Sequence, residues 1–308
     1  MRYIRESEQY VTVPDGYEQT FVNPNFATVS KNAVMKLKEN GMIDNDDIEI
    51  VLFVYNMTVV TKEQVERYCK HRGIENGADR LDSLCQSACL NKFFLTTEPK
   101  YRGTMPADIM YFYCLQTGGT YLLKQFKCMD MLEWGQGDNL MCSRLVGKYV
   151  LSTEMYLEML TAPKALIVYN KSPFYVFPNY TLRAGAIYGF RASSGAVDYL
   201  QTDVIRSSED ILDVREKLRR YESLVTTKYW KRYYNDADNV PYLLLVTDND
   251  DTAYSLAKEI TTGTHIHKFL ISTDERILRG VRSEGSVLEY DENSKVLFET
   301  RCPFFVEE

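Results

Sequence analysis

The stretch ADRLDSLCQSACLNKFFLTTEPKYRGTMPADIMYFYCLQT, residues 78–117, contains a helical pattern followed by two strand patterns. Four apolar or small side chains follow the i, i+3, i+4, i+7 spacing of one helix face: Leu81, Leu84, Cys85 and Ala88. The runs KFFLTTE and IMYFYCLQT are rich in β-branched and aromatic residues, and a polar loop with Pro and Gly separates them. We therefore expect a helix over 78–90 with Leu81, Leu84 and Ala88 buried, and a hairpin over about 93–115.

Two further helices are predicted upstream of this stretch. The first has an apolar face with the same spacing, formed by Ile48, Val51, Leu52 and Tyr55. Asn45 is expected to cap this helix, because a short side-chain oxygen can accept the first free backbone N–H groups. Thr61 is expected to cap a second helix that runs to His71.

The order of these elements predicts a winged helix-turn-helix domain over 44–127. Three helices precede the hairpin, and GGTYLLKQF after it reads as a further helix. The phrase LQTGGTYL, residues 115–122, resembles the exit from strand to helix that is common in bacterial winged-helix proteins. In this fold the third helix enters the major groove, so its outward side chains reach base edges.

Six side chains of this domain are candidate DNA contacts: Arg80, Ser83, Gln86, Ser87, Lys100 and Arg102. Arg suits guanine and Gln suits adenine, whereas Lys100 and Arg102 lie in the hairpin loop, where they can meet phosphate or the minor groove. The domain nevertheless carries ten Lys/Arg and eleven Asp/Glu. Because phosphate contacts supply most of the affinity for DNA, a protein-interaction or dimerisation use of the same fold stays open.

The rest of the chain divides into three further segments. Residues 1–43 are polar and aromatic and are expected to wrap a later domain, and residues 128–163 form a bridging helical segment. Residues 164–308 have an α/β rhythm, with strand-like runs on both sides of a long helix expected over about 208–234. The fold class is therefore α/β (α+β overall), with a mixed central sheet in the last domain.

A second basic locus lies on this long helix and its exit. Its candidate DNA contacts are Arg215, Arg219, Lys228, Lys231 and Arg232. The phrase TTKYWKRYY interleaves these cations with aromatic rings, and such a mixture can stack bases and hold phosphates. The alternative is an amphipathic helix whose charged side is simply solvated.

Three short phrases of the last domain support a resemblance to a known family: FPN at 177–179, YLQTD at 199–203 and KLRRY at 217–221. With the winged helix before them, they resemble the replication-relaxation family of bacterial mobile elements, whose members look like DNA-binding accessory factors of plasmid replication and conjugative transfer. The resemblance implies a restriction-endonuclease-like domain. In such domains an acid ends one strand, Glu/Asp-x-Lys lies on the next strand, and a helix follows. In the replication-relaxation family the corresponding phrases are Pro-Asp after a strand, an acidic pair near the end of the next strand, and Lys-x-x-x-Tyr on the helix.

The sequence departs from that pattern at two of the positions where an acid is expected. Asn179 and Gln201 stand where the metal-binding acids are expected, and only Asp203 and Lys217 remain. Neutral amides bind Mg²⁺ far less well than carboxylates, so the resemblance implies a pseudo-nuclease without metal or catalytic residues. The main rival interpretation is a protein–protein interaction module in which neither domain contacts DNA, and a third is an active Mg²⁺ nuclease built from Asp198, Asp203 and Glu209.

Other enzyme classes find little support in the sequence. The chain has no GxxxxGK[ST], GxGxxG, GxSxG or HExxH motif, and its three His residues do not favour a His-based metal enzyme. Asp248, Asp250 and Asp251 follow a strand, where either helix capping or a phosphate or Mg²⁺ site can use them. His265 and His267 can share one strand face, which permits metal binding, but no further Cys or His ligand is near them in sequence. We expect no cofactor.

Charge and cysteine content suggest a cytoplasmic protein without a membrane partner. The formal net charge is −7, no run of about 18 apolar residues occurs, and the chain opens without an apolar signal-peptide core. Seven cysteines without CxxC spacing are expected to be reduced thiols. The expected partners are double-stranded DNA, a replication or conjugation protein, and a second copy in a homodimer.

Overall fold

A computed structural model of the chain describes residues 2–8, 16–23, 29–99, 105–127, 129, 132, 134–192, 194–209, 211–234, 237 and 239–305. The chain divides into two units, Met1–Thr153 and Glu154–Glu308. The fold is mixed α/β, with helices and a small antiparallel sheet in the first unit and a seven-stranded mixed sheet with helices in the second.

The described residues of the N-terminal unit up to Phe126 form five α-helices and four short strands. In chain order these are β1 Glu18–Phe21, α1 Lys31–Glu39, α2 Asn45–Met57, β2 Val60–Thr61, α3 Lys62–Arg72, α4 Gly77–Gln86, β3 Leu90–Thr96, β4 Phe112–Leu115 and α5 Thr117–Phe126. The strands form one antiparallel sheet in the order β1-β3-β4-β2. The expected hairpin is confirmed, because β3 pairs with β4.

Capping residues determine where the helices of this unit begin. Asp44, and not Asn45 as expected, caps α2, and its side chain accepts from the Asp47 backbone N–H. Thr61 caps α3 as expected, in a reciprocal arrangement with Gln64. The two reciprocal caps therefore fix the starts of the first two helices of the predicted domain.

The third predicted helix is shorter than its periodicity suggests. Leu81, Leu84 and Ala88 are buried as expected, but α4 ends at Gln86. Ala88 lies in the left-handed region with φ 54°, and this turn leads directly into β3. A Cβ on Gly119 would lie 2.5 Å from the Cys89 carbonyl oxygen, so the glycine lets α5 approach this connection closely.

The first residues of the chain add to the same unit. Strand β1 extends the hairpin at β3, with Glu18 opposite Thr96, and Tyr3 also forms a bridge with Thr96. These strand pairings lie within the N-terminal unit, to which the described residues of 1–43 belong, and the expectation that the segment wraps a later domain stays a prediction.

The C-terminal unit is built on the seven-stranded sheet. Helix α6 Ser143–Met159 crosses the boundary between the units, and it is followed by β5 Leu166–Lys171, β6 Phe174–Val176, β7 Thr181–Arg183, β8 Ala186–Arg191, β9 Val197–Val204, α7 Ile211–Thr226, β10 Tyr242–Thr247, α8 Asp250–Gly263, β11 Phe269–Thr273, α9 Asp274–Leu278, β12 Val287–Asp291 and β13 Val296–Thr300. The sheet order is β13-β12-β11-β10-β9-β8-β5, and β6 and β7 form a separate hairpin.

The central strands β9, β10 and β11 are parallel, and the strands outside them are antiparallel to their neighbours. Helices α7 and α8 supply the crossovers that parallel pairing requires. Their apolar faces and the β6–β7 hairpin contribute to one hydrophobic core over the sheet, with Leu218 and Ala257 as fully buried examples.

The long helix expected over about 208–234 is interrupted. Helix α7 ends at Thr226, Lys228 lies in the left-handed region with φ 58°, and a short 3-10 helix covers Tyr229–Arg232. Two consecutive β-branched residues, Thr226 and Thr227, weaken helix propensity at this point. Across the described ranges, no helix combines the length and the apolar character needed to cross a membrane.

Candidate functional site

A group of polar side chains lies on the face of β9 that α7 covers. Gln201 and Asp203 are two residues apart in the strand, so they point to the same face. They are 3% and 6% exposed. We call the following set the polar cluster: Tyr175, Gln201, Asp203, Lys217, Tyr221 and Tyr234.

Both carboxylate oxygens of Asp203 have hydrogen-bond or ion-pair partners. Its Oδ2 accepts a hydrogen bond of 2.6 Å from the Tyr221 hydroxyl and lies 2.5 Å from Lys217 Nζ. Its Oδ1 accepts from the Val204 backbone N–H at 2.9 Å. The carboxylate is therefore buried, paired with a cation and satisfied at both oxygens.

Gln201 is held by two tyrosines. Its Oε1 accepts from the Tyr175 hydroxyl at 3.1 Å and from the Tyr234 hydroxyl, and those two hydroxyls lie 2.6 Å apart. Its Nε2 is buried and has no acceptor among the described residues. Tyr175 comes from the β6–β7 hairpin and Tyr234 from the segment after α7, so two separate segments cover the amide.

Burial keeps the tyrosines of this cluster protonated. Burial, and then the neighbouring Asp203 carboxylate, raises the pKa of Tyr221 well above its ordinary value. Burial followed by the proximity of Tyr175 does the same to the pKa of Tyr234. Both hydroxyls therefore remain hydrogen-bond donors at any physiological pH.

Three of the four positions expected from the nuclease pattern come together here. Gln201, Asp203 and Lys217 are neighbours, whereas Asn179 is exposed in the turn between β6 and β7. The expectation that Asn179 stands beside Gln201 is therefore not met. Its phrase FPN lies in the turn of the β6–β7 hairpin, where Asn179 is exposed to solvent.

The carboxylates of the rival nuclease interpretation are also separated. Asp198 lies on the opposite face of β9 from Asp203, and its Oδ2 is 3.7 Å from Lys164 Nζ. The two acids are five residues apart, which is about 17 Å along a strand. Glu209 accepts from the Arg206 backbone N–H. These three side chains do not form one metal-binding group.

A surface of cations and aromatic rings lies outside the polar cluster. Arg232 stacks over Tyr229 at 4.5 Å, and Arg220 lies over Tyr180 at 6.0 Å. The Tyr233 hydroxyl binds the backbone of Val176 in the β6–β7 hairpin. We define the basic-aromatic surface as Tyr180, Arg220, Tyr229, Arg232 and Tyr233, flanked by Lys228 and Lys231.

The expected basic residues divide into two groups. Arg219, Lys228, Lys231 and Arg232 are exposed, and within the described ranges no acid pairs with them. Arg215 instead makes two hydrogen bonds to Glu259 of α8. Trp230 and Tyr234 are buried, so part of the aromatic content of TTKYWKRYY serves the core. Sequence reasoning missed the contribution of Tyr180, which the β6–β7 hairpin brings to this surface.

In the predicted recognition helix, α4, the candidate DNA contacts are only partly exposed. Arg80 was expected to be exposed, but its guanidinium binds Asp47 at 2.8 Å, Asp44 at 2.9 Å and Asp46 at 3.5 Å. Ser83 and Gln86 are exposed as expected, and Ser87 is half-buried. Lys100 and Arg102 lie outside the described residues. In this structure the Arg80 side chain therefore connects α4 to the start of α2, and its contact with guanine stays a prediction.

The carboxyl edge of the parallel strands is occupied by ion pairs. Arg206 binds both oxygens of buried Asp274, and Arg276 binds Asp250 and Glu299. Asn249, rather than an Asp, accepts from Thr252 and caps α8. His265 and His267 lie in the loop before β11 and not on a strand. Among the described residues, no group of three or more His, Cys, Asp or Glu side chains could hold a metal ion.

Comparisons with known proteins give little similarity. No protein-family model and no curated protein matches the chain. The crystal structure of protein VC1899 from Vibrio cholerae aligns with 85% of this chain at 8% sequence identity and a TM-score of 0.27. The alignment covers 56% of VC1899, so this chain spans little more than half the length of that protein. A TM-score this low carries no argument about function.

Proposed function

We propose that this chain is a non-enzymatic DNA-binding protein that serves a bacterial mobile element in replication or transfer. The basic-aromatic surface carries the proposal. Its exposed cations can meet phosphates, and its rings can stack on bases, without any requirement for a particular sequence. The link to mobile elements rests on the family resemblance alone.

The order of elements supports the two domain types that the resemblance implies. In the N-terminal unit, a helix, a short strand, two helices and a hairpin follow one another, which is consistent with a winged helix. In the C-terminal unit, β8 is followed by β9 and then α7, the order expected around a nuclease-like site.

The polar cluster supports the absence of nuclease activity. A metal ion at Asp203 would have to displace both Lys217 and Tyr221, and it would find an amide at Gln201 in place of a second carboxylate. Tyr175 and Tyr234 also occupy the Gln201 oxygen, so this oxygen is not free to bind a metal ion. Phosphodiester cleavage of this class requires a firmly held divalent ion.

The test compares two charge reversals with the same change in net charge. Fluorescence anisotropy with labelled single- and double-stranded DNA is measured across salt concentrations for Arg232→Glu and for the control Lys258→Glu, which is exposed on α8. We expect Arg232→Glu to weaken binding and to reduce the slope of log K against log salt by about 1, and the control to match the parent chain. Equal binding by both variants would exclude this surface.

A second candidate function is protein interaction by the N-terminal unit. A groove of about 340 Å³ lies beside α4, and Leu37, Met42, Ile43 and Gln86 line part of it. Met42 is 69% exposed, and the neighbouring Arg80 is already neutralised by carboxylates. Light scattering on the parent chain and Met42→Glu tests whether this groove supports a homodimer.

A further inference from the structure

A cleft of about 280 Å³ lies in the N-terminal unit, between the start of α3 and strand β4. Three carboxylates line it: Glu6 comes from the N-terminal segment, and Glu63 and Glu66 come from α3. Lys62 is the one cation among the described residues of its lining. The cleft therefore carries a net negative charge, with three acids against one base.

These three carboxylates are exposed and have no ion-pair partner among the residues that the structure describes. Asp82 of the same unit, by contrast, is held by Lys92 at 2.8 Å. Glu63 and Glu66 are three residues apart on α3, so their like charges are neighbours on one helix face and repel each other. The positive end of the helix stabilises Glu63 in the first turn, but it accounts for neither Glu66 nor Glu6.

Tyr113 of β4 supplies a polar group that is directed into the same cleft. The residue is 4% exposed and lines the cleft, so the surface that it retains faces this space. Its hydroxyl has no hydrogen-bond partner among the described residues, yet it is not one of the polar atoms that are sealed from solvent. Burial, and then the nearby Cys85, Asp82 and Glu6, raises the pKa of Tyr113 above its ordinary value, so the hydroxyl stays protonated. Its unused lone pair can accept a hydrogen bond from a ligand that enters the cleft.

The lining favours a cation that is longer than a single ion. Within the described ranges, no group of three or more His, Cys, Asp or Glu side chains could hold a metal ion, so the carboxylates do not converge on one point. Met110 and Tyr111 are half-buried in the lining and offer apolar contact to an aliphatic stem. One face of the Tyr111 ring already has Lys92 Nζ 5.0 Å from its centroid. A cavity of about 150 Å³ holds a benzene ring, so the cleft has room for a chain of several methylene groups.

We propose that this cleft binds an organic cation, an ammonium or guanidinium group on an aliphatic stem. The positive group contacts Glu63, Glu66 and the Tyr113 hydroxyl, and the stem packs on Met110 and Tyr111. Such a cation comes either from a free polyamine or from a Lys or Arg side chain in a basic segment of a partner protein. Neither source depends on the proposed function, because the cleft lies in the N-terminal unit and the basic-aromatic surface lies in the C-terminal unit.

The test uses calorimetry and thermal melting of the full chain with spermidine and with a short capped peptide that contains Lys and Arg. At least one of these probes is expected to bind and to raise the melting temperature, and its affinity should fall as the salt concentration rises. Mg²⁺ at matched ionic strength is the control for charge alone. It should neither bind nor displace the organic probe.

Two variants test the residues that define the cleft. Glu66→Gln should weaken binding several-fold, whereas Glu39→Gln, the same charge change at an exposed position on α1, should leave it unchanged. Tyr113→Phe removes only the hydroxyl and should weaken binding by roughly tenfold, the effect of one hydrogen bond. Without ligand, the melting temperature of Tyr113→Phe should stay equal or rise, because the hydroxyl has no partner to lose. A fall would show that the hydroxyl serves the fold, which overturns the proposal.

The two probes identify the source of the cation. Binding of spermidine alone supports a free polyamine, and binding of the peptide alone supports a partner protein. Absence of binding by both probes, equal binding of Mg²⁺, or affinity that is unchanged in Glu66→Gln or in Tyr113→Phe overturns the proposal. If Glu66→Gln disturbs folding, Tyr113→Phe is the deciding variant. Arg232→Glu should bind both probes like the parent chain, so the DNA function and the cation site stand or fall separately.

Discussion

Lys217 Nζ lies 2.5 Å from Asp203 Oδ2, so the acid that the nuclease pattern would give to a metal ion is paired with a lysine of the following helix. Tyr221, one turn further along α7, donates to the same oxygen. Lys217 and Tyr221 thus connect α7 to Asp203 of β9, at the position where the nuclease pattern would have its catalytic residues. The pairing therefore predicts a measurable contribution to the free energy of unfolding and no binding of a divalent metal ion at Asp203.

Replacing Lys217 by Met should destabilise the C-terminal unit by about 1–3 kcal/mol. The change leaves Asp203 buried without its cation, but Lys217 itself is 29% exposed, so the loss is below that of a fully buried pair. Urea unfolding of Lys217→Met is compared with Lys258→Met, an exposed control on α8 expected to change stability by less than about 0.5 kcal/mol. The double variant Asp203→Asn with Lys217→Met should recover part of the loss, and no recovery would contradict the pairing.

No cleavage of single- or double-stranded DNA is expected with Mg²⁺ or Mn²⁺, and restoring the missing acids should not create it. In Asn179→Asp with Gln201→Glu, the new aspartate lies in an exposed turn, away from the new buried glutamate. Two acids that are not neighbours cannot hold one ion, and the buried glutamate should lower stability. A rise in melting temperature with Mn²⁺ in this variant would show that the turn reaches the cluster. Cleavage by the parent chain that disappears in Asp203→Ala would establish an enzyme.

Hydrophobic periodicity in the sequence predicted the helices and strands of the N-terminal unit better than it predicted which residues contact one another. The buried face of α4 follows from the spacing of Leu81 and Leu84, because burial of an amphipathic helix is a local property. The role of Arg80 does not follow from it, since its carboxylate partners lie more than thirty residues earlier, at the start of α2. The only signal in the sequence for this contact was the group of like-charged acids, Asp44, Asp46 and Asp47, which need a cation nearby.

The same division applies to the C-terminal unit. The shared face of Gln201 and Asp203 follows from the two-residue repeat of a strand. The covering of Gln201 by Tyr175 and Tyr234 depends on how the β6–β7 hairpin and the segment after α7 fold onto β9, and no local sequence pattern specifies this. The end of α7 had a readable signal in Thr226 and Thr227, but the basic and aromatic residues after them suggested a continuous helix.

Replacing Arg80 by Met should lower the stability of the N-terminal unit by about 1–2 kcal/mol and leave DNA binding unchanged. Three carboxylates at the start of α2 lose their shared cation, and two of these carboxylates are about half exposed. Although burial opposes its ionisation, the Asp47 backbone N–H and Arg80 hold the pKa of Asp44 below its usual range.

A lowered pKa contributes stability above the unfolded value, near 4, and this stability is lost as the pH falls through the folded value. The difference between parent and Arg80→Met should therefore shrink below about pH 4 in urea unfolding. Loss of DNA binding by a folded Arg80→Met variant would instead support the base contact that the sequence predicts for Arg80.

Cysteine reactivity should be confined to Cys142 among the six described thiols. Burial raises the pKa of Cys69 and Cys89 to about 11 and that of Cys85 and Cys302 to about 12, so little thiolate forms at pH 8. Cys142 is exposed. A thiol reagent should modify one group quickly in folded Cys128→Ser and all six after unfolding, and two fast groups would indicate local opening of a buried site.

The stability of the C-terminal unit should rise with pH between about 7 and 9.5 because of Lys171. Burial, and then the charge of Arg183, lowers the pKa of Lys171 to about 7, whereas an unfolded lysine titrates near 10.4. Between these values the unfolded chain binds the extra proton, so the free energy of unfolding increases with pH, by at most about 1.4 kcal/mol per pH unit. Above about pH 10 the buried tyrosines reverse the trend, because their raised pKa values make the folded chain the one that keeps protons.

Replacing Lys171 by Met should remove this rise and stabilise the chain most at pH 7, where charging the buried amine is costly. Urea unfolding at half-unit steps from pH 7 to 9.5 measures the effect as the difference between parent and variant, which cancels the contribution of every other group. Lys258→Met, at an exposed position, should keep the slope of the parent. A difference between parent and Lys171→Met that does not change with pH would show that the ammonium stays charged in the folded chain.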